Sequence, residues 1–140
     1  MSKSGVILLI EDDTDDQLIF KLTLAEMNVK NEVLLFNTTA AALDFLDKTT
    51  QSIFIIFCDI NLPGGSGLDF KQDIDSNPTL RRKSIPFIFH STAAMPEQVD
   101  MAYTQMTVQG FFKKSSSVAD NKLQLKMIID YWMSCKHPNN

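Results

Sequence analysis

The stretch "SIFIIFCDINLPGGSG", residues 52–67, sets the frame for the whole chain. Its first part is an almost unbroken apolar run, too short for a helix and rich in isoleucine and phenylalanine. A run of that kind predicts a strand buried on both faces, as in parallel sheets. The run stops at a single carboxylate, Asp59. A proline and three of the chain's five glycines follow at once. A buried strand that ends in an acid and hands over to a tight loop is a common way to present a reactive group.

Four further runs resemble the first. "VILLI" (6–10), "EVLLF" (32–36), "IPFIF" (85–89) and the shorter "GFF" (110–112) are predicted strands, making five with 53–58. Between them lie segments of helical spacing. Leu18, Leu22 and Ala25 share one apolar face, and Ala42, Leu43 and Leu46 share another. Thr14 with Gln17 has the pattern of a capping box, and Thr38 or Thr39 starts the second helix. The third helix begins near Leu68 and ends, or kinks, before Pro78. Pro96 suits the first turn of a fourth, and Ser117 with Asp120 opens a long fifth helix through Trp132. The "RRK" at 81–83 reads as a solvated turn, and 136–140 as a loose tail. Strand and helix alternate five times, which predicts one α/β domain, a doubly wound parallel sheet with helices on both faces. Its core is expected over about 5–134, within a single domain spanning 1–140 and lacking an output domain.

The totals agree with a soluble domain. Hydrophobic residues make up 44% and charged residues 21%, ordinary values for a globular protein. Thirteen Lys+Arg against 17 Asp+Glu give a net charge of −4, which argues against nucleic acid as a partner. No run is long enough for a membrane span or a signal peptide. Two cysteines, Cys58 and Cys135, fit no metal spacing and no disulfide framework, so the expected compartment is the cytoplasm.

In an open parallel sheet, ligands bind beyond the carboxyl ends of the strands. Here the first strand runs into Glu11-Asp12-Asp13, the third into Asp59, the fourth into Ser91-Thr92 and the fifth into Lys113-Lys114. Neighbouring strands are about 4.8 Å apart, so these groups converge. Carboxylates that close repel one another unless a cation sits among them. A hard divalent ion that keeps several waters is the natural occupant, which points to Mg2+. Asp13, Asp15 and Asp16 read differently, as solvated acids at the positive end of the first helix.

The segments "ILLIEDD", "CDINLPGGSG", "IPFIFHST" and "GFFKK" occur in an order and at spacings that resemble the receiver domain of two-component response regulators. The match covers essentially the full length. It implies a flavodoxin-like sheet of strand order 2-1-3-4-5. It also implies that Asp59 is the phosphoacceptor, that Asp12 binds Mg2+ directly and Glu11 mainly through water, and that Asn61 offers its backbone carbonyl. Ser91 would contact the phosphoryl group, Lys114 would pair with it, and Phe111 would be the switch aromatic. The implied partners are a sensor histidine kinase or a phosphotransfer protein, an unknown downstream protein, and a second copy through the fourth helix, fifth strand and fifth helix. The "SNPTLRRKSIP" connection loosely resembles single-domain regulators paired with bacterial phytochromes.

Three features depart from that family's habit. Serine follows Lys114 where the family has a proline, whose bond is typically cis. A cis bond before serine costs about 2.5–4 kcal/mol, so a trans bond is expected. Phe111 lacks a tyrosine hydroxyl. His90 interrupts an apolar strand and reads as a packed, hydrogen-bonded histidine. Other classes fit less well. An aspartyl phosphatase would need a second acid two residues after Asp59, where Asn61 stands. The glycines at 64, 65 and 67 match no nucleotide-binding pattern. A receiver-like interaction module that is never phosphorylated is the remaining alternative.

Overall fold

Residues 2–92 and 95–139 are described by the computed structural model. Ala93 and Ala94, and Asn140 at the end of the expected tail, lie outside the described residues. The five strands are β1 (Val6–Ile10), β2 (Val33–Phe36), β3 (Ile53–Cys58), β4 (Phe87–Ser91) and β5 (Gly110–Lys113). All neighbours pair in parallel, in the order β2-β1-β3-β4-β5. Every residue of β1 and β3 is buried, which is why both read as unbroken apolar runs.

Among the described residues, six α-helices surround the sheet: α1 (Thr14–Glu26), α2 (Thr39–Lys48), α3 (Gly67–Ser76), α4 (Pro78–Arg82), α5 (Pro96–Gln105) and α6 (Val118–Ser134). Alternate strand residues serve two cores. Leu8, Ile10, Ile56 and Phe89 face α2, α3 and α5. Ile7, Leu9, Phe57 and Ile88 face α1 and α6. Helices therefore cover both faces.

Several local expectations need correction. Leu18 and Leu22 are 57% and 50% exposed, and α1 instead buries Phe20, Thr23 and Leu24. The Phe20 ring packs edge-on against Phe57 at 5.1 Å, which turns the other face outward. The cap of α1 is Asp13, whose carboxylate accepts from the amides of Asp15 and Asp16, so Thr14 is already helical. Residues 81–83 are not a free turn. Asn77 caps a separate short helix, α4, with Pro78 in its first turn, and Leu80 is buried beneath it. Thr38 and Ser117 do cap α2 and α6.

The tail is not loose at His137, which is fully buried. Its Nε2 lies 2.8 Å from the Phe54 carbonyl, and the ring sits against Phe54 and Trp132. One aromatic residue with a polar tip found both an apolar wall and a free carbonyl.

Candidate functional site

The residues singled out above meet at the carboxyl ends of β1, β3, β4 and β5. Glu11 follows β1 directly and is 3% exposed. Its backbone amide donates to the Phe36 carbonyl, which extends the β1–β2 ladder by one residue. Asp59 follows β3, with its amide bonded to the Ile10 carbonyl at 3.0 Å. Its Oδ1 accepts from Ile60 N at 2.6 Å and Asn61 N at 3.3 Å. Lys114 follows β5 and donates from its amide to the Ser91 carbonyl at 2.9 Å. The sheet thus fixes the backbone at each functional position.

Lys114 Nζ holds the site together. It contacts Glu11 Oε1, reaches Asp16 Oδ2 at 2.8 Å and Asp59 Oδ2 at 3.2 Å. Glu11, Asp12 and Asp59 each place a carboxylate oxygen within 4.8 Å of the others. Three hard oxygen donors that close suit a magnesium-like ion that retains waters. Burial pushes the Glu11 carboxyl up to about 7, against the downward pull of the Lys114 ammonium, with the Asp59 charge adding to the rise. Burial pulls the Lys114 ammonium down, but its bonds to Asp16 and Glu11 outweigh that and hold it raised.

Ser91 is fully buried, and its Oγ has no hydrogen-bond partner. A buried hydroxyl left unpaired costs about 1–3 kcal/mol, so this one is free to take an acceptor. Phe111, on the same face one strand over, is partly buried, with its ring 5.4 Å from that of Phe89. Asn61 is exposed in the loop beside Asp59.

The Lys114–Ser115 peptide is trans, as expected, since the described residues contain no cis bond. Asn121 supplies what a proline would otherwise constrain. Its Oδ1 accepts from Ser115 N at 2.7 Å and its Nδ2 donates to Ser115 O at 2.9 Å. Nothing in the sequence singles out this asparagine, although the absence of proline at 115 poses the question it answers. Asp16, expected to be a solvated acid, touches Lys114 instead. Within "EDDTDD" the letters alone do not reveal which acid turns inward.

Behind Lys114 lies a cavity of about 40 Å3, bordered by Glu11, Asp16, His90 and Asn121 and walled by Phe20 and Leu125. His90 reaches it and interacts with the Gln124 side chain, as expected of a packed histidine, though His90 Nε2 and Gln124 Oε1 make no hydrogen bond of good geometry. Burial, and then the Lys114 charge, hold His90 down at about 4 from an ordinary 6.5. Between those values the unfolded chain binds more protons than the fold. Stability from His90 is therefore complete above pH 6.5 and is lost as pH falls toward 4. Allowing for partial exposure, the loss is on the order of 2 kcal/mol. Glu11, with its folded value raised, tilts the other way from about pH 4.5 to 7, so a difference measurement is needed. Urea unfolding of wild type and His90→Leu from pH 4 to 7.5 should show the variant gaining on wild type as pH falls. A difference independent of pH would refute this.

The family model of the response regulator receiver domain matches residues 7–126. The chain belongs to this family. Among solved structures, it is similar to the phosphorylated cyanobacterial phytochrome response regulator RcpA, with 26% identity and a TM-score of 0.87, covering 96% of this chain and 98% of that one. The Mn2+-bound response regulator Rcp1 is also 26% identical, with a TM-score of 0.85 over 96% of this chain and 99% of that one. The response regulator RPA3017 of red-light signalling in R. palustris shares the fold at 19% identity, with a TM-score of 0.84 and coverage of 97% and 99%. No curated protein matches the chain. Receiver domains are signalling modules. Both cysteines are free, and among the described residues no helix is long and apolar enough to cross a membrane.

Proposed function

We propose that this receiver domain accepts a phosphoryl group on Asp59 from a sensor histidine kinase or a phosphotransfer protein, with Mg2+ bound at Glu11, Asp12, Asp59 and the Asn61 carbonyl. The observation that carries the reading is the Lys114 ammonium, which bridges Glu11 and Asp59 beside a triad of carboxylates of metal-binding size. The phosphorylated state of RcpA and the Mn2+ of Rcp1 support it. RcpA also makes a phytochrome-type kinase the first partner to test.

In the transfer, an Asp59 oxygen bonds to phosphorus as the phosphohistidine P–N bond breaks, and the electron pair leaves with the imidazole nitrogen. Asp59 is a competent nucleophile for this, a carboxylate whose Oδ1 is held by two backbone amides. Phosphoryl transfer asks chiefly for position and neutralised charge. Mg2+ held by Glu11, Asp12 and Asp59 would supply positive charge beside the nucleophile, and Lys114 contributes a further charge there. The unpaired Ser91 hydroxyl is a donor for a phosphoryl oxygen.

The output would leave through the last two strands, where Ser91 and Phe111 lie. Beside them, α6 exposes Leu123, Met127 and Tyr131 at a four-residue interval, while Leu125, Ile128 and Ile129 fill the core. That leaves an apolar stripe on α6, next to β5, for a downstream protein or a second copy through α5, β5 and α6. A cytoplasmic setting follows from the kinase partner.

Incubation with acetyl phosphate and Mg2+, read by intact mass, should add one phosphoryl to wild type and none to Asp59→Asn. Labelling that survives Asp59→Asn would exclude the assignment. A wild type that binds its partner equally well with no acceptor chemistry would instead be an interaction module.

A further inference from the structure

Lys114 has three N–H donors, and three carboxylates occupy them: Glu11, Asp16 and Asp59. Two of those carboxylates, Glu11 and Asp59, also belong to the triad that can hold a divalent cation. Lysine and cation therefore share two carboxylates. Asp16 stands outside the triad. It reaches the ammonium from the first turn of α1, with its side chain 35% exposed and bordering the cavity beside Lys114.

We infer that Asp16 is a positioning residue that anchors Lys114 on the α1 side, so that Glu11 and Asp59 can turn to the cation while the lysine stays in the site. This rests on the reading of the triad as a Mg2+ site. The physical consequence has one sign. Without the Asp16 charge, Lys114 keeps only Glu11 and Asp59 as partners, and it holds them more firmly against the incoming ion. The site also loses one negative charge close to where the ion binds. Both effects weaken Mg2+ binding.

A Mg2+ titration followed on the Ile60 and Asn61 amide signals by NMR tests this without any phosphorylation. Asp16→Asn is expected to weaken Mg2+ binding about five- to ten-fold at moderate ionic strength. Asp16→Glu should recover most of the loss, which a merely structural defect would not allow. Asp15→Asn removes the same charge one residue away, where no contact with Lys114 exists, and should change affinity by less than about two-fold, as a screened surface charge does. Equal Mg2+ affinity in wild type and Asp16→Asn would overturn the inference while leaving the receiver reading intact. An equal loss in Asp15→Asn would overturn it too, reducing the effect to net charge. A wild type that binds no Mg2+ at millimolar concentration would overturn the metal reading and the anchor together.

Discussion

Replacing Lys71 with methionine should cost about 3–5 kcal/mol of stability, the range for removing one partner of a buried ion pair. Lys71 is 3% exposed, in the middle of α3. Its Nζ lies 2.7 Å from Asp75 Oδ1 and 2.9 Å from Thr107 Oγ1, and 5.1 Å from the centre of the Phe87 ring. Asp75 in turn accepts from the Thr107 backbone amide at 2.8 Å and its hydroxyl at 2.7 Å. The pair thus ties α3 to the turn between α5 and β5. Methionine fills the space of the stem but leaves Asp75 buried with an unbalanced charge. Burial pushes the Asp75 carboxyl up, yet Lys71 and Thr107 together hold it below its usual value. Its contribution is therefore present above the unfolded carboxylate range and lost as pH falls through the lower folded value. The penalty for Lys71→Met should accordingly shrink in strong acid, where Asp75 is protonated. Urea unfolding at pH 7 and again near pH 3 would check both statements. A loss under about 1 kcal/mol at pH 7 would show that the pair is dispensable.

That ion pair also illustrates what the sequence conceals. Lys71 and Asp75 stand four apart on a helix, the ordinary spacing of a solvated pair. Only the approach of Thr107, thirty-two residues later, encloses them. β1 and β3 were legible because burial on both faces removes every polar residue from them, and the clustered acids Glu11 and Asp59 because each follows the end of a strand in a parallel sheet. The apolar face of α1 was not legible, since Leu18 and Leu22 are as apolar as Phe20 and Leu24, and only the Phe57 ring chooses between them. Asp16 failed for a related reason. Its role depends on the direction of a helix that the letters place only to within a turn. Asn121 binds the Ser115 backbone across the turn into α6 and His137 a carbonyl of β3 far back in the chain, contacts that neither residue type announces.

The loop after Asp59 carries the other large effect. Gly67→Ala should destabilise the domain by about 3 kcal/mol, at or beyond the upper end of ordinary overpacking. A Cβ at Gly67 would lie 2.1 Å from the Asp59 carbonyl oxygen and 3.0 Å from Cys58 Sγ. Backbone cannot yield as a side chain can, so α3 must lift or the Asp59 peptide must turn. Gly67 N also donates to the Ile60 carbonyl at 2.9 Å, which pins the start of α3 to the loop after Asp59. Turning that peptide moves the Ile60 and Asn61 amides that hold Asp59 Oδ1. An error of about 1 Å in a reacting group can cost about a hundred-fold in rate. Acceptor activity with acetyl phosphate should therefore fall further than the folded fraction explains, when assayed at a temperature where Gly67→Ala remains folded. The neighbouring glycines provide the scale. At Gly65 the nearest atom is the movable Thr39 Oγ1 at 3.1 Å, so alanine there should cost little. At Gly64 there is open space, and the cost of alanine is that of its backbone alone, with φ at +79°, about 1–2 kcal/mol. If Gly67→Ala proves no worse than Gly64→Ala, the close approach of α3 to β3 does not hold Asp59 in place.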